Sequence, residues 1–117
     1  MGYLMNKIYI TTSSNELKAF FPEEILYFHS DGSYTQAYLT EERMETLCKP
    51  LKDVESSVDP TIFVRINHQT IINLSHIQNL KKGDQLKCTL SNGEEFLVSR
   101  RKRNEFIKRI DQTNTFL

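Results

Sequence analysis

Residues 85–90, QLKCTL, alternate one by one between apolar and polar side chains, and Ser91-Asn92-Gly93 then separates them from EEFLVS at 94–99. A period of two places Leu86, Cys88 and Leu90 on one face of an extended chain, with Lys87 and Thr89 on the other. The same grammar recurs along the sequence. KIYIT (7–11) and ELKAFF (16–21) flank the polar Ser13-Ser14-Asn15, and EILYFHS (24–30) meets SYTQAYLT (33–40) across Asp31-Gly32. Gly readily supplies the positive φ that a tight hairpin turn requires. TIFVRIN (61–67) places Ile62, Val64 and Ile66 one way and Phe63 and Arg65 the other; TIIN (70–73) and HIQNL (76–80) follow, then a Lys82-Gly83-Asp84 turn. Roughly seven to ten short strands are therefore predicted.

Two stretches change period. Residues 50–58 start at Pro50 and carry Leu51, Val54 and Val58 at helical spacing, a short helix in mid-chain. Over residues 100–111, Phe106, Ile107 and Ile110 form an apolar stripe opposite Arg101, Lys108 and Arg109. The predicted class is mainly β, with small antiparallel sheets and one or two short helices.

The 117 residues fit a single domain over 1–117, large enough to bury a core without staples. No apolar run approaches the roughly 18 residues of a membrane span, and MGYLMNKIYI lacks the regions of a signal peptide. Cys48 and Cys88 form no CxxC pair; a disulfide is formally open, but both lie in apolar patterns and read as reduced core thiols. The expected location is the cytoplasm. Residues 1–60 hold 5 Lys and Arg against 10 Asp and Glu, and residues 61–117 hold 10 against 5. The zero net charge thus divides into −5 and +5, and the basic half contains the run Arg100-Arg101-Lys102-Arg103. Such asymmetry points to a polyanion-binding face, though a solvated basic helix gives the same composition.

Enzymatic readings find little support. His29, His68 and His76 lack the spacing of a metal site, and no P-loop, GxGxxG or GxSxG occurs. Glu23-Glu24, Glu41-Glu42 and Glu94-Glu95 are adjacent pairs expected to point to opposite strand faces, unlike a convergent acid–base pair. No catalytic residue, metal or cofactor is expected.

Three blocks carry a family resemblance: EILYFHSDGSYTQAYL (24–39), FVRINHQTIINLSHI (63–77) and LSNGEEFLVSRR (90–101). In order and spacing they resemble the LytTR output domain of bacterial response regulators, over about residues 5–110. The resemblance implies an elongated set of small β-sheets that binds double-stranded DNA through loops entering successive major grooves, with a minor-groove contact between. It implies that Arg101, His68 and either Ser33 or Tyr34 stand at base-contacting positions. It also implies that most relatives carry a receiver domain ahead of this one; none is read in these residues, so a freestanding regulator and a piece of a larger one both stay open. Three positions depart from the usual pattern: Asn67 replaces a frequent His, Thr70 a large aromatic, and His68 an Arg or Lys. His68 is neutral near pH 7 and attracts phosphate less than Arg would.

The residue chemistry fits these roles. The planar fork of Arg matches guanine O6 and N7, which favours Arg101 as a base reader, and Asn or Gln can pair with adenine. Base contact is assigned to Arg101, His68 and Ser33. Phosphate or supporting contact goes to Arg100, Lys102, Arg103, Asn67, Gln69 and Tyr34. Salt bridges from Arg100 and Arg101 to Glu94, Glu95 or Glu105 are the alternative, and His68 could instead cap a neighbouring backbone group. Asn73 reads as a turn hydrogen-bonder, Asp31 as a turn former, and Arg65 as half of an ion pair. The partners expected are double-stranded DNA, a second copy as homodimer or on a tandem site, and a receiver domain or histidine-kinase pathway upstream. A protein-interaction module that regulates a partner without DNA is the main alternative. A single-strand binder stacking bases on Tyr34, Tyr38, Phe28 and Phe63 ranks last.

Overall fold

The computed structural model describes residues 6–117; the first five residues of the expected 1–117 domain, with the start of the resemblance at about residue 5, lie outside them. Its strands are β1 (Ile8–Thr11), β2 (Leu17–Phe20), β3 (Ile25–Asp31), β4 (Tyr34–Leu39), β5 (Met44–Leu47), β6 (Phe63–Asn67), β7 (Thr70–Asn73), β8 (Ile77–Lys81), β9 (Leu86–Leu90) and β10 (Glu95–Val98). Helix α1 (Leu51–Ser57) joins β5 to β6, and α2 (Arg100–Thr113) follows β10. All pairing is antiparallel: a β1-β2 ribbon, a central sheet in the order β5-β4-β3-β7-β6, and a β10-β9-β8 sheet. The mainly β class predicted from the alternation is the class observed.

The central sheet is covered on both faces, which explains the runs of successive buried residues in β3 and β7. In β3, Ile25, Leu26, Tyr27 and Phe28 are successive and all buried. Ile25 and Phe28 join a first core with Ile10, Phe20 and the α1 residues Leu51 and Val54. Leu26 and Tyr27 join a second core with Leu86, Cys88, Leu90 and the α2 residues Phe106 and Ile110. Leu86, Cys88 and Leu90 all point inward, as their spacing required. Burying a leucine side chain of this kind contributes about 1.5–3 kcal/mol. Phe63 does face away from Val64 and Ile66, but into the first core rather than solvent; Ile62 precedes the strand and packs with Phe63, not with Val64.

Nothing in the alternation pattern predicts β5, and the reason is its turn. Glu41 and Glu42 both adopt left-handed backbone, φ 62° and 58°, where Gly or Asn is the usual signal. Only Leu47 of the strand is buried, so its apolar pattern is also faint. Two sequence readings are corrected here. Glu23 and Glu24 lie in a 3₁₀ turn, and Glu41 and Glu42 in the β4–β5 turn, rather than on strands. Cys48 is exposed, because the chain leaves β5 at Leu47 and turns toward Pro50; its thiol reaches the Thr12 carbonyl at 3.8 Å. Cys88 is buried, and that burial pushes its thiol pKa up to about 12.

Asn73 is fully buried and ties three segments together. Its amide donates to the Pro22 and Ile25 carbonyls at 3.0 and 2.9 Å and accepts from the Ser75 N–H at 2.9 Å. Its expected role as a turn hydrogen-bonder is therefore observed. Among the described residues, no buried side-chain nitrogen or oxygen lacks a partner.

Candidate nucleic-acid interface

Sheet register decides which loops share an end of the molecule. Strands β3 and β7 run antiparallel with His29 opposite Thr70, so the β3–β4 tip and the β6–β7 turn lie side by side. The Ser30 N–H donates to the Gln69 carbonyl at 2.9 Å and joins them directly. The β4–β5 turn and the 3₁₀ turn before β3 occupy the other end, where the Thr40 N–H meets the Glu24 carbonyl at 2.8 Å. Glu23, Glu24, Glu41 and Glu42 are thereby kept at the far end of the sheet, while Asp31 remains at the near end and accepts from Gln36 at 3.1 Å.

The turn His68-Gln69 is held from several sides. The Asn67 side chain accepts from the Gln69 N–H at 2.8 Å and donates to the Leu97 carbonyl at 3.0 Å. Its amide is thus engaged at both ends within the fold. Arg65 donates to the Asn67 and His68 carbonyls at 3.2 and 2.6 Å and pairs with Glu55 at 2.9 Å, the ion pair its sequence context suggested. His68 and Gln69 themselves are exposed.

Helix α2 begins beside this turn because the Ser99 N–H donates to the Ile66 carbonyl at 2.8 Å. A pocket of about 530 Å³ results, lined by Arg65, Asn67, His68, Ser99, Arg100, Arg101 and Lys102. Residues from two separate sequence blocks therefore form the walls of one site. Ser99 is the wall the sequence reading passed over; a serine just before a basic helix is an N-cap signal that could have marked it. No side chain caps α2, and its first turn carries no acid, so the positive end of its dipole stays open to an anion.

Among the described residues, none of Arg100, Arg101 and Lys102 enters a salt bridge. Of the acids that could have taken them, Glu95 pairs with Lys87 at 3.7 Å and Glu94 accepts from the Tyr27 hydroxyl at 2.9 Å and from Asn92, while Glu105 enters no salt bridge among the described residues. Arg103 behaves differently. Its guanidinium donates to the Gly83 and Asp84 carbonyls at 2.8 and 3.4 Å, which directs it to the β8–β9 loop. Ser33 and Tyr34 are exposed at the β3–β4 tip, outside the pocket lining.

The stacking platform of a single-strand binder is not assembled. Phe28 and Phe63 are buried against each other at 5.5 Å, and Tyr38 stacks on Tyr27 at 4.5 Å, leaving Tyr34 alone of the four at the surface. No three His, Cys, Asp or Glu side chains converge among the described residues. Nor is any described helix long and apolar enough to cross a membrane.

Comparison with known proteins places this geometry in a family. Residues 15–111 match the LytTr DNA-binding domain model. A solved structure from Bacillus cereus, described as the LytTr DNA-binding domain of a methyl-accepting/DNA response regulator, superposes with a TM-score of 0.74 at 20% identity. The match covers 89% of this chain and 95% of that one. No match was found among curated proteins. The chain belongs to the LytTR family of DNA-binding domains.

Proposed function

We propose that the chain is a sequence-specific double-stranded DNA-binding transcriptional regulator that reads DNA with the β3–β4 tip, the turn at 67–69 and the start of α2. The observation that carries this reading is the pocket in which unpaired Arg100, Arg101 and Lys102 face the exposed His68 beside an uncapped helix N-terminus. Arg100, Lys102 and the first N–H groups of α2 bind phosphate, which supplies affinity without sequence information. Arg101, His68 and the Ser33–Tyr34 tip read base edges, with Arg101 suited to guanine. Gln69 supports the same groove contact. Asn67 contributes by holding its loop, since its amide is engaged at both ends, and Arg103 ties α2 to the β8–β9 loop through Nη1 while the rest of its guanidinium supports phosphate contact.

The domain acts as the cytoplasmic output of a two-component-type pathway, driven by a receiver domain or histidine kinase, and two copies bind side by side on tandem sites. A partner-binding role without DNA has weaker support, because Glu24, Glu45 and Glu55 of the acidic half are neutralised internally by Arg43, Lys18 and Arg65. The test is competition binding with a duplex selected by the protein from a random pool. Arg101→Ala should weaken binding to that duplex by roughly 1–3 kcal/mol and relax one base position, whereas Lys102→Ala weakens all duplexes alike. A wild-type protein that selects no duplex would overturn the reading.

A further inference from the structure

The β6–β7 turn owes its shape to a side chain that sits behind it. Arg65 is the third residue of β6, and its side chain is only 16% exposed. Each of its guanidinium nitrogens has an internal acceptor: Nε the Asn67 carbonyl, Nη2 the His68 carbonyl, and Nη1 the Glu55 carboxylate. Bonds to two carbonyls in succession fix the peptide planes on either side of His68, and with them the direction in which that imidazole leaves the turn. Glu55 fixes the guanidinium in its own turn. It follows Val54, which with Leu51 seats α1 in the first core at 3% exposure each.

We infer that Arg65 and Glu55 form a positioning clamp that sets the reading geometry of the 67–69 turn on DNA, without either residue touching DNA itself. The inference rests on the DNA-reading function proposed above and identifies what aligns one of its three contacts. Through Glu55, helix α1 on one face of the sheet determines a loop that works beside α2 on the other. Lys cannot substitute for Arg65, since a single ammonium lacks the fork needed to span two carbonyls and a carboxylate. Charge is equally telling. A guanidinium paired with Glu55 adds no free cation to the DNA face, so its loss should not release fewer counterions.

The experiment compares wild type, Arg65→Lys, Arg65→Gln and Glu55→Ala. Binding is measured to a duplex selected by the wild type and to a random duplex, over a salt series, alongside hydrogen exchange at the His68 and Gln69 amides. Arg65→Lys should lose about tenfold in affinity for the selected duplex, as expected when hydrogen bonds to a charged donor are removed. Random-duplex binding and the salt slope should stay unchanged, and the two amides should exchange faster. Glu55→Ala, at an exposed helical position that alanine suits, should speed the same two amides and narrow the preference for the selected over the random duplex about threefold, while the guanidinium it frees steepens the salt slope. A salt slope lowered by about one when the charge itself is removed, in Arg65→Gln, would make Arg65 a phosphate contact and overturn the clamp. Unchanged selected-duplex affinity in both Arg65→Lys and Glu55→Ala would overturn it too, as would equal losses on both duplexes. Should the wild type prefer no duplex, the functional reading falls, and the clamp stands or falls on amide exchange alone.

Discussion

Two hairpin turns of equal length stand at one end of the central sheet, and they keep their shapes by different means. Gly32-Ser33 links Asp31 to Tyr34, and His68-Gln69 links Asn67 to Thr70. In the first, Gly32 adopts φ 65°, which matches the twist of the flanking strands from within the backbone. The second contains no left-handed residue, and a two-residue turn of that kind tends to splay its strands. Groups outside the two turn residues correct it: the Arg65 and Asn67 side chains and the Ser30 backbone N–H all bind its backbone, and the pairing shifts register between Arg65 and Asn67. A turn that is self-sufficient can carry any side chain at its tip. A turn held from behind is oriented by the rest of the fold.

The largest effect should therefore come from the held turn. Asn67→Ala removes bonds to the Gln69 N–H and the Leu97 carbonyl and should cost about 2 kcal/mol in chemical denaturation. A loss under about 0.5 kcal/mol would show that the brackets are decorative and dissolve the contrast. Gly32→Ala should cost less, about 1 kcal/mol, because the whole penalty is one left-handed residue with open space around the added Cβ. Its thermal midpoint checks this, and a larger drop would mean that the first turn also depends on its surroundings. Tyr34→Ala should change stability by no more than about 0.5 kcal/mol, since its side chain is 48% exposed. Its affinity for the selected duplex should nonetheless fall severalfold, and calorimetry beside binding separates the two readouts.

Much of the fold was legible because its signals are local. Alternation at 85–90 and 94–99 with an Asn-Gly turn gave the β9–β10 hairpin, and Asp31-Gly32 gave β3–β4. Strand β5 was not legible, because Glu41-Glu42 turns the chain without Gly or Asn and the strand buries only Leu47. Cys48 read as core for the related reason that an apolar neighbour in sequence is not an inward direction in space. Of the candidate site, Arg100, Arg101 and Lys102 stood out as a basic run, the family resemblance singled out Arg101 and His68, and the fold brings the four to one pocket. Residue type could not show that Asn67 Nδ2 and Arg103 Nη1 donate to backbone carbonyls 30 and 20 residues away in sequence.

The sequence by itself determined most of the strand and helix periods, the Asp31-Gly32 and Asn92-Gly93 turns, the basic start of α2 and the blocks that mark the family. Each depends on residues within a few positions of one another, where spacing alone sets the face and the backbone angle. Only the tertiary structure decided which polar side chains face outward to a ligand and which are turned inward as brackets. That choice depends on sheet register and on two cores closing against opposite faces of one sheet, and both are set by contacts between residues far apart in the chain.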